Sequence, residues 1–231
     1  MELIFRRRAE HVGLPEPTPA ASGLPDWLRA MPSTAPSAAA GAEVRTLKHC
    51  PPLIDAMGAG VLAPLAADVE VAGGVLRWTS DIAPLDGVSP SPIGVHVPEQ
   101  AAGGPLDPGD GFIVKFMNFW AIEAPPGWSV LATHPANRLD LPFRTLTGLV
   151  DCDRFALGLV HFPALWIDPG FEGVLRRGTP VAQLLAVPRA QPALRLAVLS
   201  DAEAAEQAAL RARLAAEPGV YRRMKRGGDR P

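Results

Sequence analysis

From residue 43 onward the chain is a series of short apolar runs separated by Pro and Gly. Phe112-Ile113-Val114-Lys115-Phe116-Met117 is one run, with a single charge inside it. Residues 128–133 (Trp-Ser-Val-Leu-Ala-Thr) form another, behind the turn Pro125-Pro126-Gly127. Residues 143–150 and 180–187 are two more, the latter bounded by Gly178 and Pro188. Runs of this length with strong turn signals at both ends predict strands. Residues 61–65 and 68–71 are further strand pieces. Gly73-Gly74 turns the chain into Val75-Leu76-Arg77-Trp78-Thr79, which predicts a hairpin. Residues 82–110 carry Pro84, Pro90, Pro92, Pro98, Pro105 and Pro108 and predict a loop covering a sheet edge. Several short strands at spacings of roughly ten to twenty residues predict a mostly β sandwich or barrel-like fold.

Helical signals are few. Residues 51–57 predict a short helix, with Pro51 and Pro52 in the first turn and Gly58 as its stop. Ser200-Asp201-Ala202-Glu203 is a capping box, Ser at the cap and Glu three residues later. It predicts an Ala- and Arg-rich helix over 201–216, ended by Pro218-Gly219. The chain divides by composition into three parts. Residues 1–42 are a Pro/Ala-rich arm, extended apart from one helical turn at 24–31 whose Trp27, Leu28 and Met31 share a face. Residues 43–190 are the β domain, and 191–231 are a helix and a basic tail.

Composition narrows the class. The 231 residues include 26 Pro and 22 Gly, about a fifth of the chain. That density excludes a helical bundle or coiled coil, since Pro costs a helix interior about 3 kcal/mol and Gly about 1. Hydrophobic residues at 48% and charged residues at 20% exclude a disordered chain. A net charge of -2 gives no global field for nucleic acid. Seven basic residues do fall between Arg211 and Arg230, but cations near a helix C-terminus need no partner. No apolar run approaches the roughly 20 residues of a membrane span. The opening Met1-Glu2-Leu3-Ile4-Phe5 before Arg6-Arg7-Arg8 reverses the order of a secretory signal. The expected location is the cytoplasm, with Cys50 and Cys152 as two free buried thiols.

Residues 147–155 (Thr-Gly-Leu-Val-Asp-Cys-Asp-Arg-Phe) and 177–185 (Arg-Gly-Thr-Pro-Val-Ala-Gln-Leu-Leu) carry a resemblance. Together they are similar to the dUTPase and dCTP deaminase superfamily over residues 147–189. There a hairpin Gly-[Leu/Val]-Ile-Asp-x-Asp-Tyr-x-Gly precedes Gly-x-x-Ile-Ala-Gln-[Leu/Met]. Residues 166–173 (Trp-Ile-Asp-Pro-Gly-Phe-Glu-Gly) resemble an Asp-Pro-Gly-Phe-x-Gly element of the deaminase branch. The resemblance implies a β-clip fold, a distorted barrel, and a homotrimer. It implies that Asp151 holds a deoxyribose hydroxyl and orients water, with Mg²⁺ as the cofactor if catalysis is present. The place of the base-stacking Tyr falls on Arg154, with Phe155 next to it. The Arg-Ser-Ser phosphate motif, the Gly-rich phosphate-covering arm and the deaminase Arg-x-Ser/Thr-x-x-Arg pattern have no counterpart. More broadly, residues 43–190 resemble an uncharacterised bacterial family, a domain of unknown function. Lys48-His49-Cys50-Pro51-Pro52, residues 115–122, 124–129 and 134–138 carry that likeness.

The candidate site is drawn from two places. Asp151 and Asp153 stand two apart on an expected strand and so share a face, where paired carboxylates bind Mg²⁺ or orient water. The competing reading is an Asp-x-Asp turn bonded to its own backbone. His134, Asn137 and Arg138 form a polar loop suited to a carboxylate or phosphate ligand, or else a turn stapling two strands. With Arg154 and Phe155 these residues make the expected ligand site. Three further readings are each opposed by a plainer one. Trp120, Trp128 and Trp166 form a ligand cage or core. Lys115 is a ligand group or faces solvent. His49, Cys50, His134, His161 and Cys152 bind zinc, or Asp151, Cys152 and His161 form a triad, or they are unrelated in space. The expected function is a ligand-binding module that has lost the phosphate machinery. The alternatives are a nucleotide hydrolase or deaminase relative using Asp151, and an assembly protein whose arm and tail exchange between subunits.

Overall fold

Pro supplies no N–H to a ladder and Gly weakens both helix and strand, so most of the regular elements are short. The computed structural model describes residues 1–79, 82–84, 90–108, 113–225 and 227. In chain order the first half runs β1 (Ile4–Arg6), β2 (Thr18–Pro19), α1 (Asp26–Ala30), β3 (Thr34–Ser37), β4 (Ala42–Arg45), α2 (Pro51–Gly58), β5 (Val61–Pro64), β6 (Val69–Ala72), β7 (Val75–Arg77), β8 (Ile93–His96) and β9 (Ile113–Phe116). The second half runs β10 (Ala121–Glu123), β11 (Trp128–Thr133), β12 (Phe143–Thr145), β13 (Gly148–Val150), β14 (Phe162–Trp166), β15 (Gly173–Leu175), β16 (Pro180–Pro188), α3 (Asp201–Ala216) and α4 (Val220–Lys225). The protein is mostly β with a C-terminal helix, as its sequence predicts. Among the described residues, no helix is long and apolar enough to cross a membrane.

The strands form a five-stranded sheet in the order β13-β11-β16-β5-β2 and a four-stranded sheet in the order β12-β14-β9-β8. A three-stranded sheet β15-β6-β7 and the pairs β1-β10 and β3-β4 complete the set. The pairings are antiparallel. Both larger sheets contribute to one core. Val114 and Phe116 of β9, Phe143 of β12 and Phe162 of β14 meet Val130 of β11 and Leu184 of β16 there. The Phe116 and Phe143 rings lie 4.6 Å apart at 58°. Thr145 Oγ1 donates to the Val181 carbonyl and ties β12 to β16.

The hairpin β6–β7 follows its sequence closely. Val69 and Val71 are buried while Glu70 is exposed, and Gly73 and Gly74 take φ of +56° and +73° at the turn, angles that Gly adopts without strain. The expected helix at 51–57 is α2, and the capping box is formed: Glu203 N donates to Ser200 Oγ at 3.3 Å and Ser200 N to Glu203 Oε2 at 2.7 Å.

Three expectations change. The run 143–150 is two strands, β12 and β13, which belong to different sheets. Phe143 and Thr145 are buried, but Thr147, Gly148 and Leu149 are exposed, and Leu146 N bonds Pro163 O at 2.8 Å as the chain leaves its first sheet. The loop expected over 82–110 contains β8, which is itself the sheet edge, paired Ile93↔Phe116 through His96↔Ile113. Pro92 and Pro98 flank this strand without interrupting its ladder. Residues 80–81, 85–89 and 109–112 of that region, with Phe112 of the expected strand, lie outside the described residues. The strands β10 and β14 were not expected at all.

Residues 1–42 lie along the body. β1 pairs with β10 and β2 with β5, Leu14, Ala20 and Leu28 are buried, and Trp120 Nε1 donates to Pro15 O at 3.1 Å. The hairpin β3–β4 straddles residue 42. At the other end, residues 191–199 form neither helix nor strand, with Leu194, Leu196 and Val198 at 86–95% exposure. The chain returns at α4, where Val220 is buried and Lys225 pairs with Asp55.

Candidate functional site

β13 ends at Val150, so Asp151 and Asp153 stand on a turn rather than on a strand. Arg154 N and Phe155 N both donate to the Asp151 carbonyl, at 2.9 and 3.0 Å. The two carboxylates nevertheless converge, on Arg189 just beyond β16. Arg189 pairs with Asp153 through its terminal nitrogen, and its Nε lies 3.2 Å from Asp151 Oδ1, off the hydrogen-bond line. Ser129 Oγ donates to Asp151 Oδ1 at 2.6 Å and Gly127 N to Asp153 Oδ2 at 2.9 Å. The Gly127 N–H, with Arg189 behind it, holds the Asp153 carboxyl below the usual carboxylate range. Cys152 between them is fully buried, and burial together with its two anionic neighbours pushes its thiol up to about 11.

This is a staple joining β11, β13 and β16. Both Asp153 oxygens are engaged, and a Mg²⁺ ion here would have to displace a guanidinium. Arg154, 4.0 Å from Asp151 Oδ2, points to solvent with a largely exposed side chain. Phe155 lies with its ring over the Gly158 backbone, where a Cβ would meet ring carbons at about 2 Å.

His134 follows β11 directly. Its Nδ1 accepts from Thr145 N at 3.2 Å, so its Nε2 carries the proton and donates to Arg138 O at 2.9 Å. Burial keeps the ring below the ordinary histidine value. Asn137 holds φ +59°, the left-handed region that Asn tolerates. Arg138 Nε donates to both oxygens of Asp140, at 2.8 and 3.1 Å, and Trp27 Nε1 donates to the same carboxylate. Backbone and carboxylate partners thus occupy the anion-binding groups of this loop.

The two groups do not meet. Val130 pairs with Val150, which sets Asp151 beside Ser129, whereas His134 lies past the other end of β11. Five residues of strand, about 16 Å, separate them. His161 Nδ1 accepts from Asn118 N at 3.1 Å. Among the described residues no group of three His, Cys, Asp or Glu is placed to hold a metal ion. Trp128 and Trp166 pack against the main core, and Trp120 is covered by Arg7 at 5.3 Å. Lys115 is half-buried rather than turned fully to solvent.

The structure adds a site that the sequence did not disclose. A cleft of about 420 Å³ opens between the β6–β7 hairpin and the β9–β14 pair. Val71, Leu76, Val114, Leu165, Trp166 and Ile167 line it, with Asp107 on its wall. Its size and apolar lining match small-molecule pockets. Trp166 is fixed there by its Nε1 bond to Asp168 O at 2.7 Å and by Phe171, edge-on at 6.0 Å. The wall draws on segments up to 98 residues apart, so no local pattern marks it.

No family model and no curated protein matches the chain. Two solved structures of the dUTPase from phage phi11 of S. aureus are similar to parts of it. One is 16% identical, covering 38% of this chain and 72% of that chain, with a TM-score of 0.28. The other, a mutant described for the coordination of a structural Mg(II) ion, is 15% identical, covering 62% and 85%, with a TM-score of 0.33. Scores this low transfer neither activity nor site residues.

Proposed function

We propose that the protein is a small-molecule-binding module on a β-clip-like scaffold, acting in the cytoplasm, and that its ligand is an apolar molecule held against Trp166. The cleft beside Trp166 carries this reading. The Asp151 turn supports it from the other side: a carboxylate committed to Ser129 and Arg189 is poorly free to orient water, and the Arg-Ser-Ser motif and Gly-rich arm that would stabilise a triphosphate have no counterpart in the sequence. Titrating 1-anilinonaphthalene-8-sulfonate into the folded protein tests it. Saturable fluorescence at one site, reduced at least ten-fold in affinity by Ile167→Asp, is expected. Unsaturable binding, or equal affinity in the variant, would remove the proposal.

Residues 191–199 favour a second reading, assembly of like subunits. Three large aliphatics at alternate positions of a segment without helix or strand, 86–95% exposed, fit the pattern of a strand that would form on a partner. Leu149, Phe155 and Leu157 are also exposed near the edge strand β13. Light scattering should report an oligomer, and the triple change of Leu194, Leu196 and Val198 to Ser should lower its mass. A monomer at every concentration would exclude this reading.

A further inference from the structure

A second cleft, of about 340 Å³, lies where α4 returns to the body. Lys48, His49, Pro51, Ile54, Asp55, Arg222 and Lys225 line it. Its charge is one-sided. Asp55 is the single acid in the wall, and Lys225 already pairs with it. Lys48 donates to the Arg29 and Met31 carbonyls at 2.7 and 3.0 Å, which fixes its cation in place without neutralising it. The charges of Arg45 on β4, Arg222 on α4 and Lys48 all act on His49. Among the described residues, no hydrogen bond or ion pair holds the side chains of His49, Arg45 and Arg222, although His49 N donates to Thr46 O at 3.0 Å.

This concentration is built rather than accidental. Arg222 reaches His49 across more than 170 residues of sequence, because Val220 is fully buried and Lys225 grips Asp55. Without those anchors, like charges would drive the tail away from Arg45 and Lys48. The chain as a whole is slightly acidic, so the local excess of cations is not a reflection of composition. Pro51 and Pro52 remove two of the N–H groups that a helix start presents, and the charge comes from side chains alone. Beside the cations, Pro51 and Ile54 offer an apolar ledge.

We propose that this cleft binds a small phosphate monoester, its phosphoryl oxygens between His49 and Arg222 and its carbon body on Pro51 and Ile54. Arg222 supplies a forked donor pair suited to phosphate. The cleft exceeds a phosphate group in volume and leaves room for a short carbon chain. An anion here offsets the repulsion of Arg45, Lys48 and Arg222, and so favours the protonated His49 ring. Binding is therefore coupled to proton uptake at His49, with Asp55 and Lys225 as the remaining charged groups facing it. The site is separate from the Trp166 cleft and stands or falls independently of it.

The test is an NMR titration of the His49 ring in the full chain, at constant ionic strength, with glycerol 3-phosphate, inorganic phosphate and potassium chloride in separate arms. Saturable shifts with glycerol 3-phosphate are expected, weaker saturation with inorganic phosphate, and a His49 pKa that rises when the site is filled. Arg222→Gln should weaken binding at least ten-fold, and Arg222→Lys, which keeps the charge and loses the fork, should weaken it by less. Arg223→Gln, whose guanidinium is held by Glu217 at 2.7 Å, should leave binding unchanged. Shifts reproduced by chloride, or an Arg222→Gln variant that binds as the parent does, would overturn the proposal.

Discussion

Gln183 lies on β16 with 1% of its surface exposed. Its Nε2 donates to Ala56 O at 2.8 Å and Ala59 O at 2.6 Å, and its Oε1 accepts from Ala136 N at 2.7 Å. One side chain thus joins the middle strand of the five-stranded sheet to the end of α2 and to the turn after β11. Gln183→Met keeps the length of the side chain and removes all three bonds. Each is worth about 1 kcal/mol net, and more where a buried partner is left unpaired, so a loss of at least about 3 kcal/mol is expected. At roughly 2–4 °C per kcal/mol for a chain of this size, Tm should fall by about 6–12 °C. Urea unfolding followed by Trp fluorescence should show a lower midpoint at unchanged slope. Gln183→Glu adds a check of sign. A carboxyl facing two carbonyls must stay protonated to donate, so its folded pKa is raised. Its stabilisation is then complete below the unfolded value near about 4.3 and lost as pH rises through the folded one. A Met variant within about 0.5 kcal/mol of the parent, or a Glu variant insensitive to pH, would refute this account of Gln183.

Two further predictions concern titratable groups. Burial holds His134 and His161 below the ordinary value of 6.5, and each Nδ1 accepts a backbone N–H that a protonated ring cannot accept. Their contribution is complete above pH 6.5 and lost as pH falls through the lower folded values. Urea midpoints should therefore drop between about pH 7 and 5, and His134→Gln should flatten that drop. The buried Cys152 thiol, pushed up to about 11, should resist alkylation in the folded state at pH 8. Mass spectrometry should find at most Cys50 modified until denaturant is added, and native labelling of Cys152 would contradict its burial.

The sequence discloses what depends on local chemistry. The Gly73-Gly74 turn, the Ser200 cap, α2 behind its two prolines and the strand at 128–133 are each specified by neighbours a few residues apart. It misleads where neighbours are remote. Nothing within residues 143–150 distinguishes one strand from two, because the split depends on Ala164 claiming Thr145 and Ala132 claiming Gly148. The β8 strand is concealed by its flanking prolines, which a sheet edge tolerates. Asp151 and Asp153 were visible as a pair, but their partner Arg189 lies 36 residues beyond Asp153 and has no motif of its own. Trp166 was visible as an aromatic residue, but the cleft beside it needs walls from Val71, Leu76 and Val114.

β16 lies between β11 and β5, at the centre of the five-stranded sheet, and among the described residues it is the last strand to be synthesised. Until residue 188 has emerged from the ribosome, β11 and β5 each have an open edge, and the staple at Arg189 has nothing to hold. At about 5–20 residues per second, β5 waits about 6–25 s and β11 about 3–11 s for their common neighbour. The five-stranded sheet is therefore completed only after residue 188 has emerged, and its nascent β edges are a natural substrate for chaperones. A ribosome stalled near residue 175 should carry a protease-sensitive chain, and one stalled some forty residues beyond Arg189 a protected one.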